Sequence, residues 1–234
     1  MSSARMPREN ATGKIRAGLV SLVVLGLFLA ACSSSVTDGT SGRSATSQGG
    51  ATVEKADPIV VGDAVTKLWE DHVTWTRLFI VSAAAGLPDT DATAKRLLAN
   101  QDDIGNAIAP YYGEQAGKQL TALLREHILV AADLIGAAKA GDTAKVAKVK
   151  ADWYANGDQI AAFLSKANPT YWPLEGLKHH MKTHLDLTLD EAVKRLEGKY
   201  EADIALYDKV HVAILELADA LSAGIVGQFP DRFA

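Results

Sequence analysis

The sequence predicts an all-α protein, an antiparallel bundle of four main helices with short accessory helices, over residues 58–234. Three observations lead there. Beyond residue 58 the apolar side chains recur at three- and four-residue spacing, the period of an amphipathic helix. No alternating β-branched runs flank an Asn-Gly or Asp-Gly turn in that stretch. The periodic segments are also punctuated by helix stops, Gly86-Leu87-Pro88, Gly141-Asp142 and Asn168-Pro169.

The first long helix is expected from about Asp63 to Ala85, with Leu68, Trp69, His72, Trp75, Thr76, Phe79 and Ala83 on one stripe. Two short helices, about 90–99 and 102–112, follow with a break near Asn100. A second long helix, about 114–139, has Leu120, Leu123, Leu124, His127, Ala131 and Leu134 on its stripe and Gly141 as C-cap. A third, about 143–167, opens on Asp142 or Thr143 as N-cap and ends before Pro169. After the corner Asn-Pro-Thr-Tyr-Trp-Pro (168–173), a short helix over about 174–185 aligns Leu177, Met181 and His184. Thr188-Leu189-Asp190-Glu191 has capping-box spacing and is expected to open the last long helix, about 189–227. Its stripe holds Tyr200, Ile204, Tyr207, His211 and Ile214, while Gly198 and Gly224 weaken its continuity.

Four histidines, His72, His127, His184 and His211, thus point inward from four helices. An imidazole buried without a partner costs a few kcal/mol, so each needs an acceptor, a water or a metal. A core stripe covers so much of a helix that separately partnered core histidines are an equally good reading. If they converge, the site is a metal site with His72, His127 and His184 as ligands and Tyr207 or Asp208 at hand; a divalent transition metal would suit such donors. Asp208-x-x-His211 and His180-x₃-His184 are further pairs with ligand spacing. The Glu-x-x-His signature of di-iron bundles is absent. Trp153, Tyr154, Asn156 and Asp158 could line one end of a pocket, although a core role is the simpler one for the aromatics. Arg77 and Glu70 read as a solvated pair of little weight. No catalytic nucleophile arrangement and no phosphate-binding glycine loop is present, so no catalytic residue is assigned.

The N-terminus concerns location. Arg5, Arg8, Lys14 and Arg16 precede the uncharged run Leu-Val-Ser-Leu-Val-Val-Leu-Gly-Leu-Phe-Leu-Ala-Ala (19–31), which is too short for an ordinary bilayer span and fits a secretory signal. Leu29-Ala30-Ala31-Cys32 resembles the lipobox of bacterial lipoproteins, which implies cleavage before Cys32 and acylation of its sulfur. Residues 1–31 are then a signal peptide and the membrane is a partner through a lipid anchor, held stably where two or more chains are attached. Cys32 is the only cysteine, so no internal disulfide can form and folding rests on packing. Residues 32–57 hold the lipidated cysteine and a Ser-, Gly- and Thr-rich tether with little apolar surface to bury.

The whole chain has 24 basic and 28 acidic residues; losing residues 1–31 removes four bases and one acid, leaving 20 against 27. That mildly acidic balance argues against a nucleic-acid partner.

The stretches LWEDHVTWTRLFI, RLLANQDDI, REHILVAADLIGAAKAGD, WYANGDQIAAFL and HLDLTLDEAVKRLEGKYEADIALYD resemble a family of small bacterial helical-bundle proteins. The resemblance spans nearly all of residues 66–229 and includes His72, His127, His184, Tyr207 and Asp208, but does not extend to His211. It implies a fold and no particular chemistry. The expected function is a membrane-tethered, extracytoplasmic binding protein with a histidine-lined cavity for a metal ion or small ligand. A cell-envelope scaffold is the alternative, and a metal-dependent enzyme comes third.

Overall fold

The computed structural model describes residues 55–234, so the expected signal peptide, Cys32 and most of the expected tether lie outside the described residues. The fold is all-α: α1 (Pro58–Ala85), α2 (Thr90–Tyr112), α3 (Glu114–Ala140), α4 (Thr143–Ala167), α5 (Leu174–Leu196) and α6 (Tyr200–Gln228), with a short 3₁₀ turn at Pro230–Arg232. All six helices have 23–29 residues. The expected four long helices with short accessories are therefore corrected to six of similar length.

Tertiary contacts explain the differences. Asn100 does not break α2; it is fully buried and its Nδ2 donates to the Leu68 carbonyl of α1 at 3.0 Å. Thr188 does not cap a helix either. It lies buried in the middle of α5, next to Glu191 at 1% exposure, and burial carries the helix through the capping-box spacing. The true break is at 197–199, where Gly198 adopts φ 72° and Lys199 N–H bonds the Lys194 carbonyl at 2.9 Å. The first helix begins earlier than expected, because Asp57 caps it by accepting from Ile59 N–H at 2.8 Å and Pro58 sits in its first turn. Residues 56 and 57 thus belong to the folded part: Ala56 exchanges backbone bonds with Arg232 and Ala234 at 2.9 and 3.1 Å.

Each helix packs on its sequence neighbours, and α6 closes against α1. Paired residues step in opposite senses. Glu70, Thr74 and Arg77 along α1 meet His211, Tyr207 and Asp203 back along α6. His127 and Asp133 of α3 meet Asn156 and Lys145 of α4 in the same way. Gly224 leaves α6 unbroken because the Trp172 indole occupies its side-chain space; a Cβ there would lie 1.9 Å from Trp172 Nε1. Among the described helices α6 is long and apolar enough to cross a membrane by composition, and half of its most apolar window is buried in this fold.

The core has two parts. The larger includes Leu120, Trp153, Ile160, Leu164, Trp172, Leu185 and Ile214 and extends to the end where Ala56 pairs with Phe233. The smaller comprises Phe79, Ile80, Leu97, Ile128, Ile135 and Ala192. Each leucine, isoleucine or phenylalanine among them contributes about 1.5–3 kcal/mol when fully buried. A cavity opens within the smaller cluster, and the histidines reach it.

Candidate binding site

His72, His127 and His184 come from α1, α3 and α5, and the fold brings them together. The His72 and His184 ring centroids are 5.6 Å apart, and those of His127 and His184 are 6.3 Å apart. All three are buried, at 2–3% exposure. Trp69 meets His72 edge-on at 5.7 Å, and Trp153 stacks on His127 at 5.2 Å. Together the two indoles hold the imidazoles in place from the apolar side.

Hydrogen bonds fix what two of the rings present. Asn156 Nδ2 donates to the Leu123 carbonyl at 3.2 Å, which turns its Oδ1 toward His127 Nδ1 at 2.9 Å. His127 therefore donates from Nδ1 and leaves Nε2 with a lone pair, the arrangement of a ligating histidine with its outer partner. At His72 the neighbour is the Gln101 amide, whose Nε2 lies 3.3 Å from Nδ1 while bonding Leu97 O at 2.8 Å and Asn100 Oδ1 at 3.1 Å. Its two hydrogens are taken by the shorter bonds, so His72 Nδ1 is a weakly served acceptor.

All three imidazoles are neutral at pH 7. Burial holds His72 down to about 3, helped by nearby His127 and opposed by the Gln101 contact. Burial brings His127 down to about 4 against the Asn156 bond. His184 falls well below 6.5 through burial first, then through His72 and His127.

Around these rings the polar groups are left incomplete. Of the five buried side-chain polar atoms without a protein partner among the described residues, four are here: His184 Nδ1, Thr188 Oγ1, Trp153 Nε1 and Gln101 Oε1. Such an atom costs about 1–3 kcal/mol, and native cores have few. The cavity beside them has about 40 Å³ open to the centres of water-sized molecules, and Phe79, Ile128, Leu134 and Val193 line its apolar part. No Asp, Glu, Lys or Arg side chain lines it.

The remaining expected ligands are not part of this group. Tyr207 is half-buried at the α1–α6 seam, with its hydroxyl 3.4 Å from Thr74 Oγ1, and Asp208 is exposed. His211, expected on the core stripe, is partly exposed and its Nε2 bonds Glu70 at 3.1 Å. α6 is apolar on most sides, so its wheel gives no sharp inner face. His180 stands against His179 rather than in the cavity. Among the described residues no set of three His, Cys, Asp or Glu side chains has its donor atoms gathered as in a formed metal site. Trp153 lines the cavity and Asn156 reaches it through its bond to His127, whereas Tyr154, bonded to Asp186, and Asp158 line a separate pocket.

A second buried polar group had no sequence signal. Arg77 does not pair with Glu70; it donates through Nη1 to Glu191 Oε1 at 2.8 Å and bidentately to Asp203, with Nη2 at 2.8 Å from Oδ2. Arg195 adds a contact to Asp203 at 3.5 Å. The partners of Arg77 lie 114 and 126 residues away in sequence, beyond any local pattern.

No family model matches this chain, and no curated protein or solved structure is significantly similar to it.

Proposed function

We propose that the chain is a lipid-anchored, extracytoplasmic bacterial lipoprotein whose antiparallel helical bundle binds one transition-metal ion or small ligand at His72, His127 and His184. The anchor rests on the basic segment, the 13-residue apolar run and the single cysteine that ends it. The binding role rests on one observation above the rest: His184 Nδ1, Thr188 Oγ1 and Trp153 Nε1, three buried polar atoms without a protein partner, belong to residues that line one cavity together with His72 and His127. Gln101 Oε1 is a fourth such atom beside His72. A core meant only to be stable gains from satisfying or removing such atoms. A ligand that takes up an imidazole lone pair supplies the partner that His184 Nδ1 lacks.

The test uses the full-length chain, purified in detergent without a histidine tag, by elemental analysis and native mass spectrometry. One bound species per chain is expected. His127→Ala and His184→Ala should lose it, and His72→Ala should weaken it. His179→Ala should keep it, because that residue is exposed. A bare chain whose histidine variants lose only stability, each independently and additively, would leave the scaffold reading. For the anchor, Cys32→Ser should accumulate an unprocessed precursor that incorporates no labelled fatty acid; incorporation would overturn the lipoprotein reading.

A further inference from the structure

We infer that the three-histidine site selects a singly charged d¹⁰ ion of the copper(I) class over divalent ions of the zinc class. The inference rests on the binding reading above and adds the identity of the ligand.

Charge is the first argument. The three rings are 2–3% exposed and no acidic residue lines the cavity, so every available ligand is neutral. The nearby buried carboxylates are engaged elsewhere, since Arg77 holds both Glu191 and Asp203. An ion placed here keeps its full charge in apolar surroundings. Its solvation penalty grows with the square of that charge, so a divalent ion suffers about four times the penalty of a monovalent one of similar size.

Coordination number points the same way. Zinc requires four donors, three from the protein plus a solvent molecule at an open site. Copper(I) is content with two or three imidazoles. His127 presents a free Nε2, and His184 lacks a protein partner at Nδ1. His72 can join through Nε2 once the Gln101 amide turns to offer its unpartnered Oε1 to Nδ1.

Spacing is the third. With metal–nitrogen bonds of about 2.0–2.1 Å, three rings in a plane around one ion have centroids about 5.5 Å apart. The His72–His184 distance of 5.6 Å matches for one pair, and the 6.3 Å between His127 and His184 is longer by less than 1 Å. The donor atoms are not gathered in the ligand-free fold, so a three-ring site also requires His72 and His127 to draw together on binding.

The experiment is an anaerobic competition titration of the full-length chain with copper(I), supplied as its acetonitrile complex, with silver(I) and with zinc(II). Copper(I) and silver(I) should bind one per chain, and zinc at least about a hundredfold more weakly. The variant His184→Leu, which keeps the shape of the core, should abolish silver binding while retaining the helical circular dichroism. Zinc binding as tight as silver would overturn the charge argument and leave the binding role standing. Failure of all three ions to bind a folded chain would overturn the inference as well. The binding role would then depend on whether native mass spectrometry finds a metal-free ligand lost in His184→Leu.

Discussion

Two buried polar clusters share this core, and they are built on opposite terms. At the α1–α5–α6 seam, Arg77 bonds Glu191 and both oxygens of Asp203, and Arg195 stands behind them. Asp203 is fully buried, yet every charge in the group faces its opposite. Elsewhere in the core, His184, Thr188, Trp153 and Gln101 each leave a polar atom without a protein partner, with Thr188 one turn before Glu191 on α5. The contrast separates two uses of buried polarity. The saturated cluster ties three helices together and has nothing left to offer a ligand. The unsaturated one weakens the core and retains unused bonding capacity.

Acid should separate the clusters most sharply. Burial lowers the histidines in the folded chain, so the unfolded chain takes up their protons first as pH falls. The stability of the folded form is full above about 6.5 and is lost progressively toward the folded values of about 4 for His127 and about 3 for His72. Each contributes about 1.4 kcal/mol per pH unit in that window. Glu191 has the opposite sign. Burial raises it to about 7, with Asp203 adding and Arg77 opposing. Its protonated form therefore stabilises the fold fully below about 4.5, and that contribution is lost as pH rises to about 7. Two histidines outweigh one glutamate, so scanning calorimetry should show the melting temperature falling steadily from pH 6.5 to pH 4. Glu191→Gln should steepen the fall. A flat profile to pH 4 would mean that the imidazoles are not held neutral.

Removing one member of the saturated cluster should come next in size. Asp203→Ala leaves Arg77 15% exposed with half of its partners gone. Breaking a buried pair in this way costs about 3–5 kcal/mol. Urea unfolding of the full-length chain reads the loss directly. A loss below about 1 kcal/mol would place the Arg77 group among ordinary surface ion pairs.

The two clusters also differ in how far the sequence reveals them. The boundaries of α3 and α4 follow from local chemistry, because Gly141 takes φ 70° and the Asp142 side chain accepts from Lys145 N–H at 3.0 Å. The inward placement of His72, His127 and His184 follows from helical period, which works where a helix has one apolar face. What period cannot supply is a partner. Asn156 reaches His127 across 29 residues, and Gln101 reaches His72 across the same separation. The extent of α5 was hidden for a related reason. The Thr188–Glu191 spacing resembles a cap, but Glu191 is drawn inward by Arg77 from another helix, and the helix runs on.

The smallest effect is also the most discriminating. In the saturated cluster any truncation removes bonds, so stability can only fall. At His184 the side chain has an unpartnered Nδ1 in apolar surroundings, and leucine fills similar volume without a polar atom. Removing an unsatisfied buried group relieves about 1–3 kcal/mol, part of which is spent on imperfect packing of the new side chain. His184→Leu in the ligand-free protein is therefore expected to leave stability unchanged or raise it by about 1 kcal/mol. The same change should abolish ligand binding. His184 would then be a residue whose presence weakens the empty fold and serves only the bound one, the trade expected at a functional site. A loss of more than about 2 kcal/mol in the ligand-free chain would show instead that the imidazole is a satisfied part of the core, and the difference between the two clusters would disappear.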